Sequence, residues 1–161
     1  MGAGKSSVGQ LLSDRLGWQF EDLDSIIEAR AGKTVAEIFE LLGEATFRRW
    51  ETEALEKLIG RISGSSPIVV ALGGGAFAQP KNIELLERSE AYVVFLDAPV
   101  DVLRRRIGED DKRPLFADAE RFRLLYEQRL VHYRRAAWRV QTGGKTVAEV
   151  AREIEFLIGE R

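Results

Sequence analysis

The first residues of the chain have the composition of a phosphate-binding loop. Gly2, Ala3, Gly4, Lys5, Ser6 and Ser7 match the later part of the pattern GxxxxGK[ST] and open a segment of helical apolar spacing. Glycines let backbone N–H groups approach phosphate oxygens, and the helix N-terminus adds a positive dipole end. Lys5 would neutralise charge, and Ser6 could ligate Mg²⁺. An ordinary glycine-rich helix start is the alternative, but the order of lysine and serine after the glycines favours phosphate binding.

The first part of the GxxxxGK[ST] pattern would precede Met1. The first glycine would stand two residues before Met1, and the strand that feeds such a loop would precede it. That strand is usually central in the sheet. Burial of five apolar side chains would stabilise the fold by about 1.5–3 kcal/mol each, which together matches a domain's net stability of roughly 5–15 kcal/mol. We therefore expect the native product to begin upstream of Met1, which the intact mass of the native protein would test.

Acidic and glycine-rich segments follow two of the predicted strands. Trp18 to Leu23 reads as a short strand with acidic residues at its end, Asp22 within it and Asp24 directly after it, and Ile68 to Leu72 is a β-branched run that stops at Gly73, Gly74 and Gly75. Ligands gather at the carboxyl ends of parallel strands. Asp24 could instead be a helix N-cap and the glycines a simple turn, although three successive glycines are more than a turn requires.

The elements that position these residues alternate along the chain. Helical spacing is found in Lys5 to Leu16, Ser25 to Ala31, Thr34 to Leu42, Glu44 to Ile62, Val100 to Ile107, Ala119 to Ala136 and Val147 to Ile158. Further strands are predicted at Ala91 to Leu96 and Trp138 to Thr142. Strands that alternate with helices indicate an α/β protein with a parallel sheet covered on both faces.

The composition excludes several classes of function. The 24 basic and 26 acidic residues nearly cancel, which argues against a nucleic-acid or membrane-surface partner. The absence of cysteine excludes disulfides and thiolate chemistry, and a single histidine, His132, cannot build a histidine metal cluster. The apolar runs are too short to span a bilayer, so we expect a cytoplasmic protein.

Five further segments, in order along the chain, resemble the motifs of shikimate kinase. They are Phe20 to Asp24, Gly43 to Glu51, Gly73 to Gly75, Lys112 to Leu115 and Arg129 to Tyr133. The resemblance runs essentially from Met1 to the last helix, and the ordered set is highly specific. It implies a three-layer P-loop kinase fold of the nucleoside monophosphate kinase group, with five parallel strands, of which the first is missing from this sequence.

The resemblance also implies an activity. It predicts a single domain over residues 1–161, monomeric, that transfers the γ-phosphoryl group of MgATP to the 3-hydroxyl of shikimate in aromatic amino-acid biosynthesis. A mobile lid would cover about residues 108–119. ATP and Mg²⁺ would be the nucleotide and the metal, and shikimate the partner.

Individual residues match the acceptor side of this family. Asp24 matches the aspartate that bonds the substrate hydroxyls and takes the proton of the attacking one. Arg48 and Arg129 match the pair that clamps the substrate carboxylate, and Glu51, one turn beyond Arg48, could orient it. Either arginine could instead be a solvated helix charge. The glycines Gly73, Gly74 and Gly75 would let the substrate ring and phosphate come close.

Other residues match the nucleotide side. Arg113 in the lid would stabilise the charge that develops during transfer, and Arg106 matches the arginine that stacks on adenine. Asp22 matches the residue that holds Mg²⁺ through water. Arg113 could instead be a solvated loop charge.

Two other functions remain open from the sequence. Another small P-loop kinase, acting on gluconate or a nucleoside monophosphate, would need a different acceptor pocket. A non-catalytic nucleotide-binding module would fit the incomplete loop but would not need the acceptor residues. Fusion to a neighbouring pathway enzyme is neither supported nor excluded.

Overall fold

A computed structural model of the chain describes residues 2–62, 67–107 and 119–159. Helices and strands alternate, as the sequence predicts. Their bounds are α1 Lys5–Leu16, β1 Gln19–Asp22, α2 Leu23–Ala31, α3 Val35–Ile62, β2 Ile68–Ala71, a 3₁₀ turn Ala76–Ala78, α4 Pro80–Arg88, β3 Val94–Asp97, α5 Val100–Ile107, α6 Ala119–Tyr133, β4 Trp138–Gln141 and α7 Val147–Gly159.

The chain divides into two compact units. Ser13–Ala91 forms one, called here the middle unit, and Met1–Leu12 with Tyr92–Arg161 forms the other, called here the terminal unit. Each unit holds one pair of parallel strands, β1 with β2 and β3 with β4. The α/β class with parallel pairing is therefore confirmed. The single domain and a first strand ahead of Met1 stay predictions.

In the middle unit the strand pair is flanked by helices that share an apolar core. Phe20 aligns with Val69, and Asp22 with Ala71, so the acidic end of β1 and the glycine end of β2 lie at the same edge. Leu23, Ile27, Ile38, Leu55 and Ile83 are all at most 2% exposed. Their burial anchors α2, α3 and α4, which carry the polar residues of the same edge.

Helix α3 is interrupted at Gly43. This residue has φ 79° and ψ 160°, a conformation open to glycine but strained for other residues. The predicted separation into one helix ending at Leu42 and another starting at Glu44 is confirmed. The break ends the first segment and lets the second, which carries Arg48 and Glu51, begin in a new direction.

The terminal unit is built on β3, β4 and the helices that follow them. Val94 aligns with Trp138 and Asp97 with Gln141. The predicted β3 started three residues too early, because its ladder with β4 begins only at Trp138, whose N–H donates to the Val93 carbonyl at 3.3 Å. One apolar cluster in the core of this unit consists of Ala3, Ala98, Leu103, Phe122 and Tyr126.

Helix α4 and the 3₁₀ turn before it were not predicted. Pro80 occupies the first turn of α4, where its missing N–H costs nothing, and Ile83 and Leu86 follow at helical spacing with both side chains buried. These were the available signals in the sequence. Among the residues that the structure describes, no helix is long and apolar enough to cross a membrane.

Candidate active site

The predicted phosphate loop opens α1, as expected. Gly2 and Gly4 have φ of 59° and 82°, in the left-handed region that favours glycine. Val8 donates its N–H to the Gly4 carbonyl at 2.8 Å, which starts the helix directly after the loop. Ala3 is only 8% exposed because it packs into the core of the terminal unit. The loop is therefore fixed to the core, with the start of a helix behind it.

Arg106 is held against the turn that follows β4. Its Nη2 donates to the Thr142 carbonyl oxygen at 2.8 Å, and its Nη1 donates to Thr142 Oγ1 at 3.2 Å. Thr142 is buried, and its own N–H donates to the Asp97 carbonyl at 2.7 Å. Sequence reasoning missed Thr142, whose only signal was its position after β4. The guanidinium of Arg106 is thus positioned by the sheet itself.

The remaining predicted site residues lie on different elements. Lys5 is partly exposed at the start of α1, and Ser6 and Ser7 are exposed in its first turn. Arg129 is partly exposed on α6, in the terminal unit, whereas Arg48 belongs to the middle unit. The clamp formed by these two arginines stays a prediction. Arg113 and the lid segment up to residue 118 lie outside the described residues.

Asp97 is the last residue of β3, and its carboxylate is hydrogen-bonded to three nearby side chains. Its Oδ2 accepts from Arg139 Nε at 2.8 Å, from Arg139 Nη2 and from Gln141 Nε2 at 2.8 Å, and its Oδ1 accepts from the Tyr126 hydroxyl at 3.2 Å. Burial would raise the pKa of Asp97, but the bonds from Arg139 and Gln141 outweigh it and lower the pKa. Burial and the Asp97 charge raise the pKa of Tyr126 to about 12. This network joins α6 to both strands.

Asp22 and Asp24 take different positions at the end of β1. Asp22 is the N-cap of α2, because its Oδ1 accepts from the N–H groups of Asp24 at 3.0 Å and Ser25 at 3.4 Å. The capping role considered for Asp24 therefore falls to Asp22. Asp24 stands in the first turn of α2, and its Oδ1 lies only 2.5 Å from where a Cβ on Gly73 would be.

Arg48 is held by two carboxylates of its own helix. Its Nη1 donates to Glu51 Oε2 at 3.0 Å and Oε1 at 3.2 Å, while Nε and Nη2 donate to Glu44 Oε1 at 3.1 and 3.0 Å. The guanidinium also lies 5.7 Å from the ring centre of Phe39 and 5.3 Å from that of Phe47. Burial alone would lower the pKa of Arg48, but the charge and hydrogen bonds of Glu51 and Glu44 raise it. Arg48 therefore stays charged.

Glu51 is the buried member of this group. Its side chain has no exposed surface, and its Oε2 also accepts from Gln79 Nε2 at 2.6 Å. Burial raises the pKa of Glu51, and the nearby Asp24 charge adds to that, whereas Arg48 and Gln79 oppose it. The predicted contact between Glu51 and Arg48 is confirmed.

Two of the three glycines are required by the side chains around them. A Cβ on Gly73 would lie 2.5 Å from Asp24 Oδ1 and 2.9 Å from Glu51 Oε1, and a Cβ on Gly75 would overlap the Arg48 guanidinium. Both positions must therefore lack a side chain for the carboxylates and the guanidinium to sit where they do. This reason adds to the predicted one, which was access for a substrate.

Asn82 and Gln79 support this group and were missed by sequence reasoning. Asn82 is fully buried, accepts from Thr52 Oγ1 at 2.7 Å and donates to the Ala76 carbonyl at 3.1 Å. A polar residue among the apolar positions of α4 was the available signal for Asn82. Gln79, just before Pro80, carried no signal.

A glycine-rich loop that opens a helix, in an α/β protein with parallel strands, is typical of the P-loop class of phosphotransferases. Comparison with known proteins makes the assignment specific. Residues 1–158 match the family model described as "Shikimate kinase". The chain belongs to the shikimate kinase family, and it is a kinase that uses ATP.

Individual relatives agree with the family match. The chain is 44% identical to shikimate kinase of Geobacter sulfurreducens, over 99% of this chain and 87% of that protein. The structure titled "Shikimate kinase from Acinetobacter baumannii in complex with shikimate" superposes with a TM-score of 0.90 at 36% identity, over 99% of this chain and 89% of that one. A gluconokinase from Sinorhizobium meliloti superposes with a TM-score of 0.58 at 22% identity, over 95% of this chain and 83% of that one, which shows a shared fold alone.

Proposed function

We propose that the chain transfers the γ-phosphoryl group of MgATP to the 3-hydroxyl of shikimate, giving shikimate 3-phosphate and ADP in the cytoplasmic route to aromatic amino acids. The observation that carries the proposal is the group formed by Asp24, Arg48, Glu51, Gly73 and Gly75 in the middle unit. It sets a charged guanidinium and a carboxylate beside a backbone that has no side chains.

Shikimate has the complementary chemistry. It is a carboxylate with three ring hydroxyls, so its recognition needs a cation fork and hydrogen-bond acceptors. Arg48 supplies the fork because its charge is secured by Glu51 and Glu44. Asp24 supplies the acceptor and takes the proton of the attacking hydroxyl. Arg129 is proposed as the second cation for the carboxylate, and Gly73, Gly74 and Gly75 as the close backbone of the acceptor site.

The nucleotide side is assigned to the loop and its neighbours. The N–H groups of Gly2 to Ser7 and the Lys5 ammonium hold the phosphates, and Arg106, fixed by Thr142, stacks on adenine. Arg113 of the lid is proposed to stabilise the charge that spreads over the transferring group. Closure of the lid would exclude water and so limit hydrolysis of ATP.

Mg²⁺ is part of the proposal because the donors fit it. The ion takes one or two protein oxygens and fills its remaining positions with water and phosphate. The hydroxyl of Ser6 and the carboxylate of Asp22, oriented by its two capping bonds, are donors of that kind. Within the described ranges no group of three or more His, Cys, Asp or Glu could hold a metal by itself. When bound, it would neutralise phosphate charge.

A coupled assay of ADP release tests the activity. Shikimate, gluconate and AMP are compared at equal concentrations. We expect turnover with shikimate and none with gluconate or AMP. Equal or greater turnover of gluconate or AMP would favour the rival kinase, and nucleotide binding with no transfer to any of the three would favour a binding module.

A further inference from the structure

We propose that Gln79 is a positioning residue of the acceptor site, which fixes the Glu51 carboxylate and through it the guanidinium of Arg48. This inference rests on the proposed function and deepens it, because it names a residue outside the implied substrate contacts that would set affinity for the acceptor acid. Its first support is that Glu51 Oε2 is shared by two donors, Arg48 Nη1 at 3.0 Å and Gln79 Nε2 at 2.6 Å.

The position of Gln79 would normally call for a different use of its side chain. Gln79 is the N-cap of α4, where side chains usually accept from the first N–H groups of the helix. Its side chain makes no such bond and donates to Glu51 instead. The residue at the cap position of α4 therefore uses its side chain to bond Glu51 of α3. Helix capping does not explain why a glutamine stands there.

The backbone N–H and carbonyl of Gln79 are both hydrogen-bonded. Gln79 donates its N–H to the Ala76 carbonyl at 3.3 Å, and its own carbonyl accepts from Ile83 N–H at 3.1 Å. The Ala76 carbonyl also accepts from buried Asn82, which is bonded in turn to Thr52 of α3. The turn that carries Gln79 is therefore tied to the helix that carries Glu51, so the Gln79 side chain extends from a fixed backbone position.

The charges around Glu51 explain why a neutral donor suits this place. Arg48 faces it from its own helix and Asp24 from α2, while Glu44 faces the other side of Arg48. A lysine at position 79 would compete with Arg48 for Glu51, and a carboxylate there would add a third negative charge near Asp24. An amide donates to Glu51 without changing the charge, so Arg48 keeps its orientation and stays available to an incoming acid.

The variants Gln79→Met and Gln79→Glu test the proposal, with Gln19→Leu on β1 as a matched control in the same unit. Gln79→Met keeps length but cannot donate, so the KM for shikimate should rise about tenfold, with kcat and the KM for ATP within about twofold of wild type. Gln79→Glu can donate only when protonated, so its KM for shikimate should climb between pH 6 and pH 9. The rise should exceed that of wild type and of Gln79→Met, in which Glu51 titrates but residue 79 does not.

Each outcome decides a separate point. Unchanged KM for shikimate in Gln79→Met, or a loss confined to kcat, overturns the positioning role, as does a pH profile in Gln79→Glu that rises no more than that of wild type. If Gln79→Met does not unfold cooperatively on heating, the pH profile of Gln79→Glu decides alone. Absence of shikimate turnover in wild type would instead remove the proposed function itself, so the two failures are distinguishable.

Discussion

Arg48 and Glu51 face each other one turn apart on α3, with Arg48 Nη1 3.0 Å from the Oε2 of a carboxylate that has no exposed surface. The arginine itself keeps 18% of its side chain exposed. A buried carboxylate thus holds the partly exposed cation from behind, while Glu44 and two aromatic rings restrict it from the sides. A planar donor fixed in this way loses little freedom when it binds an acid.

Arg48→Lys should raise the KM for shikimate by about tenfold or more, because each charge-assisted hydrogen bond is worth about 1.5–3 kcal/mol and an ammonium cannot replace the fork. Arg49→Lys on the same helix, an exposed residue, is the matched control and should change the KM by less than about twofold. Steady-state kinetics with ATP held saturating gives both values.

The methyl ester of shikimate sharpens this experiment. It lacks the negative charge, so wild type should bind it more weakly than the free acid, and Arg48→Lys should lose less affinity for the ester than for the acid. Equal losses for acid and ester would contradict contact between Arg48 and the carboxylate.

Glu51→Gln should alter the dependence of stability on pH. Burial, reinforced by the Asp24 charge, raises the pKa of Glu51 above its ordinary 4.5 in the folded chain. The folded state then binds more protons than the unfolded one, so this residue's contribution is complete below pH 4.5 and is lost as the pH rises through the folded pKa. Urea unfolding between pH 4 and pH 8 should show a stability difference, variant minus wild type, that increases with pH. A difference that is constant with pH would contradict a raised pKa.

Gly73→Ala and Gly75→Ala should damage the acceptor site, and Gly60→Ala should not. The new Cβ would displace Asp24 in the first variant and Arg48 in the second. We expect a fall mainly in kcat for Gly73→Ala and a rise of about tenfold or more in the KM for shikimate for Gly75→Ala. A Cβ on Gly60 in α3 meets nothing within 4 Å, so this control should gain about 0.5–1 kcal/mol of stability with unchanged kinetics.

Asp97→Asn should destabilise the terminal unit by about 1–3 kcal/mol at pH 7, because a buried hydrogen-bonded charge is lost. The pKa of Asp97 is lowered from 3.8, so its contribution is present above that pH and disappears as the pH falls through the folded pKa. The difference from wild type in urea unfolding should therefore shrink toward pH 3. Asp101→Asn, an exposed neighbour on α5, should stay within about 0.5 kcal/mol of wild type.

The sequence predicted the parts of the site that depend on local chemistry. The glycine-rich turn that opens α1 was predictable because glycines, lysine and serine stand at fixed spacing within a few residues. The break at Gly43 was readable because the chain shows two apolar patterns on either side of a glycine. The closeness of Asp24 to Gly73 was predictable because both follow the ends of strands, and parallel strands place their carboxyl ends at one edge.

Contacts between distant segments depended on the tertiary structure. Asp22 rather than Asp24 caps α2 because Asp22 keeps an extended backbone, with φ −108° and ψ 121°, and the helix already begins at Leu23. That Gly75 makes room for Arg48 depends on how α3 lies beside the turn after β2. Gln79 and Asn82 gave little or no local signal of their partners, which lie 28 and 30 residues away along the chain. Residue types and spacing by themselves determined the chemistry available to this protein. Packing decided which side chains meet, because burial and hydrogen bonding act between segments whose separation in sequence carries no information about their distance in space.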